Sequence, residues 1–136
     1  MISIEIRHLP MTARTAPAPS ISRGHTLSKA ALRAADLLGL AQAELAPVLG
    51  LSPATVSRMA SGGHVLAPGQ KSWEMATLFV RLYRSLDALV GSNEAQARAW
   101  LDGENAALGG VPRELIASAE GLVRVVQYLD AARGRI

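Results

Sequence analysis

The sequence predicts an all-α protein: an N-terminal bundle built round a helix-turn-helix, followed by a smaller helical domain. Three observations predict it. Residues Gln42 to Met59, QAELAPVLGLSPATVSRM, place apolar and small residues at the offsets of two short helices joined by a tight turn. The 49% hydrophobic content leans on Ala and Leu, with aromatics at only 4%, a mixture suited to helices packed closely through small residues. Further along, Met75, Leu78, Leu82, Leu86 and Leu89 recur at spacings of three and four, the period of a long amphipathic helix. A chain of 136 residues suffices for one domain, or for two small helical ones sharing a core.

Residues 1–24 are expected as a flexible N-terminal arm. ISIEIRHL alternates weakly like a short strand, and the Pro-, Ala- and Ser-rich stretch that follows has no period able to bury a face. Met11 is an alternative start. The arm bears Arg7, Arg14 and Arg23, which reads either as an inert leader or as a basic strand along phosphate. Residues 25–68 form the helix-turn-helix region. Its first helix runs from Leu27 to Leu38, with Leu27, Ala31, Ala34, Ala35 and Leu38 on one stripe and Gly39 as its stop. In the motif itself Leu45, Ala46, Leu49, Leu51, Val56 and Met59 are expected to point inward. Gly50 occupies the turn, where a positive φ costs glycine little, and Ser52-Pro53 is an N-cap followed by a proline at the first helical position.

Residues 69–136 hold a long connecting helix and a second helical domain. The long helix is expected from Gln70 to Val90, with Phe79 and Tyr83 beside its stripe. A shorter helix follows from Asn93 to Leu101, then a glycine-containing loop from Asp102 to Val111. Pro112 starts a single turn reaching Ala117, and Ser118 caps a last helix from Ala119 to Ala132. No fixed-period repeat is present.

Composition narrows the function classes. The sequence contains no cysteine, which excludes a disulfide framework and cysteine-ligated zinc and suits a cytoplasmic protein. No run approaches the length of a transmembrane helix, and the N-terminus lacks the apolar core of a secretory signal. The net charge of +3 is uneven: residues 1–72 carry seven Lys/Arg against three Asp/Glu, and the remainder seven against eight. The basic half contains the helix-turn-helix, as a phosphate-facing surface requires. No catalytic or metal site emerges, and no cofactor is expected. His8, His25 and His64 are scattered without ligand spacing. Gly62-Gly63 and Gly109-Gly110 lack the context of a phosphate loop, and Asp102 with Glu104 reads as a solvated loop pair.

A helix-turn-helix places its second helix in the major groove of DNA. The residues left facing outward, and so the candidates for contact, are Ser52, Ala54, Thr55, Ser57 and Arg58, with Gln42 at the start of the first helix facing phosphate. Arg58 alone among them is able to make a bidentate contact to guanine. Two features weaken the reader: Ala41 offers no side-chain cap, and Pro47 within the first helix removes an amide donor. With mostly short side chains presented, one copy should bind weakly, so a dimer or a larger assembly is expected.

In the C-terminal segment, Gly109-Gly110 permits a tight backbone turn that Asn105 is able to hold by hydrogen bonding. Trp100 reads as a core plug beneath it or as a direct partner contact. Leu122, Val125, Val126 and Leu129 make an apolar stripe on the last helix, and Glu120 stands in its first turn, where the helix dipole favours an anion. Trp100-Leu101, Asn105, Leu108-Gly109-Gly110, Pro112 and Glu120-Gly121-Leu122, in that order, resemble the C-terminal toxin-binding domain of Xre-type antitoxins, the Xre/MbcA/ParS group. The resemblance extends over residues 27–136. It implies the antitoxin of a RES–Xre toxin–antitoxin pair, in which a RES-domain toxin degrades NAD and the antitoxin binds and silences it. The helix-turn-helix is expected to autorepress the operon through operator DNA. The terminal Arg133, Gly134, Arg135 and Ile136 read either as a frayed basic tail or, by the resemblance, as the end that reaches the toxin's active-site mouth. The alternative for the whole chain is a dimeric DNA-binding transcriptional regulator without a toxin partner; a third reading is a protein-binding domain whose helix-turn-helix no longer touches DNA.

Overall fold

The computed structural model describes residues 19–134, with side chains from residue 23, and within them the chain is helical with no strand. Seven helices follow one another: α1 (Pro19–Leu37), α2 (Gln42–Leu49), α3 (Pro53–Ala60), α4 (Lys71–Leu89), α5 (Glu94–Asp102), α6 (Pro112–Leu115) and α7 (Ala119–Gly134). The long helix and the three after it lie within a residue or two of their expected bounds. None of the described helices is long and apolar enough to cross a membrane.

The start of α1 corrects the expected arm. Residues 19–24, assigned to the arm, are the first turns of α1. They carry no apolar stripe, and the reason they are helical lies elsewhere in the chain. The Gly24 backbone sits against the Leu66 carbonyl, so closely that a Cβ there would lie 2.3 Å from the oxygen. Nearby the Ser28 hydroxyl accepts the Leu66 amide at 3.3 Å. The loop after α3 therefore supplies a surface that propensity alone does not reveal. The strand-like 1–8, the rest of the arm with Arg7 and Arg14, and Arg135 and Ile136 lie outside the described residues.

α4 is the centre of the molecule. It packs most extensively on α7, then on α1 and α2. A helix covered from several sides buries more than one stripe, and α4 encloses Met75, Ala76, Phe79, Val80, Leu82, Ser85 and Leu86. Leu78 and Leu89, expected on the buried stripe, are only half-buried, whereas Phe79 is fully enclosed. Ala31, Ala34 and Ala35 of α1 join the same core, where small side chains permit close helix approach. Ser72 and Ser85 are the buried polar residues of α4, and Ser85 is the one fully enclosed. Its fully buried hydroxyl donates to Asp130 Oδ1 of α7 at 2.9 Å. Arg81 pairs with the other Asp130 oxygen at 2.6 Å, which fixes the register of α4 against α7.

Candidate functional site

The helix-turn-helix is built largely by local chemistry. Gly50 holds φ at +69°, and its neighbour Leu51 sends its amide back to the Ala46 carbonyl at 2.9 Å, closing α2. A residue with a Cβ would be strained in that left-handed position. Ser52 then caps α3, its hydroxyl accepting the Thr55 amide at 3.1 Å. Leu45, Ala46, Leu49, Val56 and Met59 are buried as the pattern requires. Leu51 is a correction: it is half-buried, packed against the edge of the core. The missing side-chain cap at Ala41 is offset by Glu44, whose Oε1 accepts the Ala41 amide at 3.0 Å. Pro47 lies inside α2 with its ring at the surface, and the helix continues to Leu49.

Gln42, Ser52, Ala54, Ser57 and Arg58 are all exposed, whereas Thr55, read as outward, is half-buried. The Ser52 and Thr55 hydroxyls lie 2.9 Å apart. Arg58 Nη2 donates to Thr55 Oγ1 at 3.0 Å. These three residues, each three positions from the next, form one hydrogen-bonded row along α3. The row holds the Arg58 guanidinium along the helix while leaving it exposed.

The second domain is organised round Asn105. Its side-chain oxygen accepts the Leu108 amide at 3.1 Å, and its carbonyl accepts the Gly109 amide at 2.8 Å. Its own amide donates to the Gly110 carbonyl at 2.9 Å, closing the loop on itself. Leu108 is buried beneath, and Arg124 of α7 donates to the Leu108 carbonyl at 2.7 Å. Pro112 is buried at the first position of α6, and the Ser118 hydroxyl accepts the Gly121 amide at 3.1 Å, capping α7 as expected. Glu120 is exposed in the first turn of α7. Trp100 stands at the edge of the core. It packs on the core while only half-buried, and stacks on Tyr128 with ring centroids 6.2 Å apart. Arg133 is in the last turn of α7, exposed, with Nη1 3.4 Å from the Ser85 hydroxyl, and Gly134 ends the helix. Arg133 therefore belongs to the helix rather than to a frayed tail.

Sequence reasoning missed a set of arginines that join the two halves. Arg98 of α5 donates to the carbonyls of Leu37 at 2.9 Å and Asp36 at 3.2 Å, both at the end of α1. Arg113 of α6 reaches the adjacent carbonyls of Leu38 and Gly39. Both cover carbonyls at the end of α1 and its exit, where a helix runs short of internal donors, although the Asp36 carbonyl also accepts the Gly39 amide at 3.1 Å. Among the described residues, no group of three or more His, Asp or Glu is placed to hold a metal ion.

This architecture defines a helix-turn-helix protein joined, through a shared long helix, to a compact helical binding domain. Residues 18–81 match the family model of the antitoxin Xre-like helix-turn-helix domain. Residues 85–135 match that of the antitoxin Xre/MbcA/ParS C-terminal toxin-binding domain. The N-terminal part of the chain is thus similar to one domain of the Xre-type antitoxins and the C-terminal part to the other. No curated protein matches its sequence.

Proposed function

We propose that the protein neutralises an NAD-degrading RES-domain toxin through residues 85–135 and represses its own operon through α2 and α3. The observation that carries this reading is the C-terminal domain. The ordered elements Trp100-Leu101, Asn105 to Gly110, Pro112 and Glu120-Gly121-Leu122 fold into one self-bonded unit, in the segment matching a toxin-binding family. Trp100, Asn105, Gly109, Gly110, Pro112, Glu120 and Gly121 shape that unit, and the terminal Arg133, Gly134, Arg135 and Ile136 contact the toxin. Guanidinium groups suit such a role, since they bind anionic surroundings through paired N–H donors. The test is to co-express the chain with the RES-domain product of the neighbouring reading frame, follow copurification and measure cellular NAD. Copurification with NAD preserved is expected; no association would overturn the assignment. Deleting Arg133 to Ile136 should release NAD loss in cells carrying the toxin, and unchanged neutralisation would remove the tail from the interface.

On the DNA side, Gln42 faces phosphate while Ser52, Ala54, Thr55, Ser57 and Arg58 face the groove. Arg58 is the discriminating residue. A bidentate contact to guanine contributes roughly 1–3 kcal/mol of discrimination, so Arg58→Ala should weaken operator binding about tenfold or more. Mobility shifts on the upstream palindrome and on unrelated DNA at the same salt check this. Equal loss on both sequences would reduce Arg58 to a phosphate contact. Because α3 presents few long side chains, the protein works as a homodimer or within a larger toxin–antitoxin assembly, in the cytoplasm.

A further inference from the structure

Arg113 is the only side chain of the four-residue α6 that hydrogen-bonds across to the helix-turn-helix half. Its side chain is 21% exposed, and its fork of N–H donors is divided between the two domains. Nε donates to Asp102 Oδ1 at the end of α5. Nη1 donates to Glu44 Oε2 at 3.2 Å and to the Gly39 carbonyl at 3.3 Å. Nη2 donates to the Leu38 carbonyl at 3.2 Å. Burial disfavours its charge, but the hydrogen bond and charge of Asp102, followed by those of Glu44, outweigh it and hold the guanidinium above its ordinary pKa.

Glu44 is the reason this clamp matters. It is the third residue of α2, and its two oxygens serve two partners: one caps the Ala41 amide, the other receives Arg113. The opening turn of the helix-turn-helix is therefore held in place from the second domain. A planar fork is able to satisfy carboxylates and carbonyls in several directions at once; an ammonium is a point charge and cannot reproduce that pattern. We infer that Arg113 is a positioning residue that sets how α2, and with it α3, stands relative to the C-terminal domain. A partner that engages the Asp102–Arg113 stretch thereby alters the DNA-reading helix. The last consequence rests on the function proposed above; the positioning itself does not.

The test compares Arg113→Gln, Arg113→Lys and Glu44→Gln in the full chain by amide hydrogen exchange and operator binding. Losing charge-assisted bonds from a partly buried site should speed exchange at Leu45, Ala46 and Val48 by about tenfold or more, with Leu122 to Leu129 unchanged. Arg113→Lys should not restore protection. The Glu44→Gln/Arg113→Gln double variant should be no worse than the poorer single one, because both remove the same link. Operator affinity should fall by about tenfold in parallel. Additive effects, or equal acceleration in α2 and α7, would overturn the positioning role. Faster α2 exchange with unaltered operator affinity would overturn the link to DNA reading. If the wild-type chain binds no DNA, the proposed repressor function fails, and the exchange pattern alone still decides the role of Arg113.

Discussion

Gly121→Ala should destabilise the protein by about 3 kcal/mol or more, at the upper end of overpacking costs, and should abolish capture of the toxin. A Cβ built at Gly121 would lie 1.8 Å from the Leu115 carbonyl oxygen and 2.6 Å from its carbon. The obstacle is backbone, so it cannot swing aside as a long side chain would. α6 and α7 would have to separate, although their packing brings Ile116 and Leu122 into one core. Separation would also carry α7 away from Leu108, losing the bond from Arg124 that secures the Asn105 loop. Urea melts and copurification with the partner check both effects. A variant within about 0.5 kcal/mol of wild type, as for an ordinary surface substitution, would show that the close approach is not required.

Phe79→Ala should cost about 3–5 kcal/mol, the range for emptying a fully enclosed aromatic site. The more informative expectation concerns where that loss is felt. α4 packs on α1 and α2 as well as on α7, so both domains should melt earlier and together. The two tryptophans offer separate reporters. Trp73 lies near Arg23 of α1, and Trp100 stacks on Tyr128 of α7. In Trp73→Phe and Trp100→Phe backgrounds, the remaining tryptophan should report the same midpoint. Two distinct midpoints would mean that the halves unfold independently.

What the sequence revealed was governed by short-range geometry. Gly50, Ser52-Pro53 and the stripe through Leu45, Leu49, Val56 and Met59 are each decided by neighbours within a helical turn or two. The helix-turn-helix was therefore readable residue by residue. Asn105 and Ser118 were readable for the same reason, since their acceptors and donors lie three to five residues away. The start of α1 was not, because Gly24 is held by Leu66, far along the chain. Arg113 and Arg98 escaped notice because their partners include backbone carbonyls of α1 and its exit, and carbonyls carry no sequence signal. Asp130 stands off the apolar stripe of α7, and its half-buried pairing with Ser85 and Arg81 of α4 joins residues far apart in the chain. Trp100 was ambiguous by type, since a large amphipathic ring suits a core edge as well as an interface.

The boundary between the two family matches falls at Leu82, Tyr83 and Arg84, in the middle of α4. Leu82 is fully buried, and the helix serves as the wall of both domains. An exchange of specificities between proteins of this kind therefore cannot be made at the border that sequence families suggest. A chimaera cut there would expose half of each core and bring together two faces never matched to one another. The transferable unit must contain α4 whole, together with the face of α7 that rests on it. The inheritance of a new partner is then tied to the inheritance of the surface that supports the helix-turn-helix.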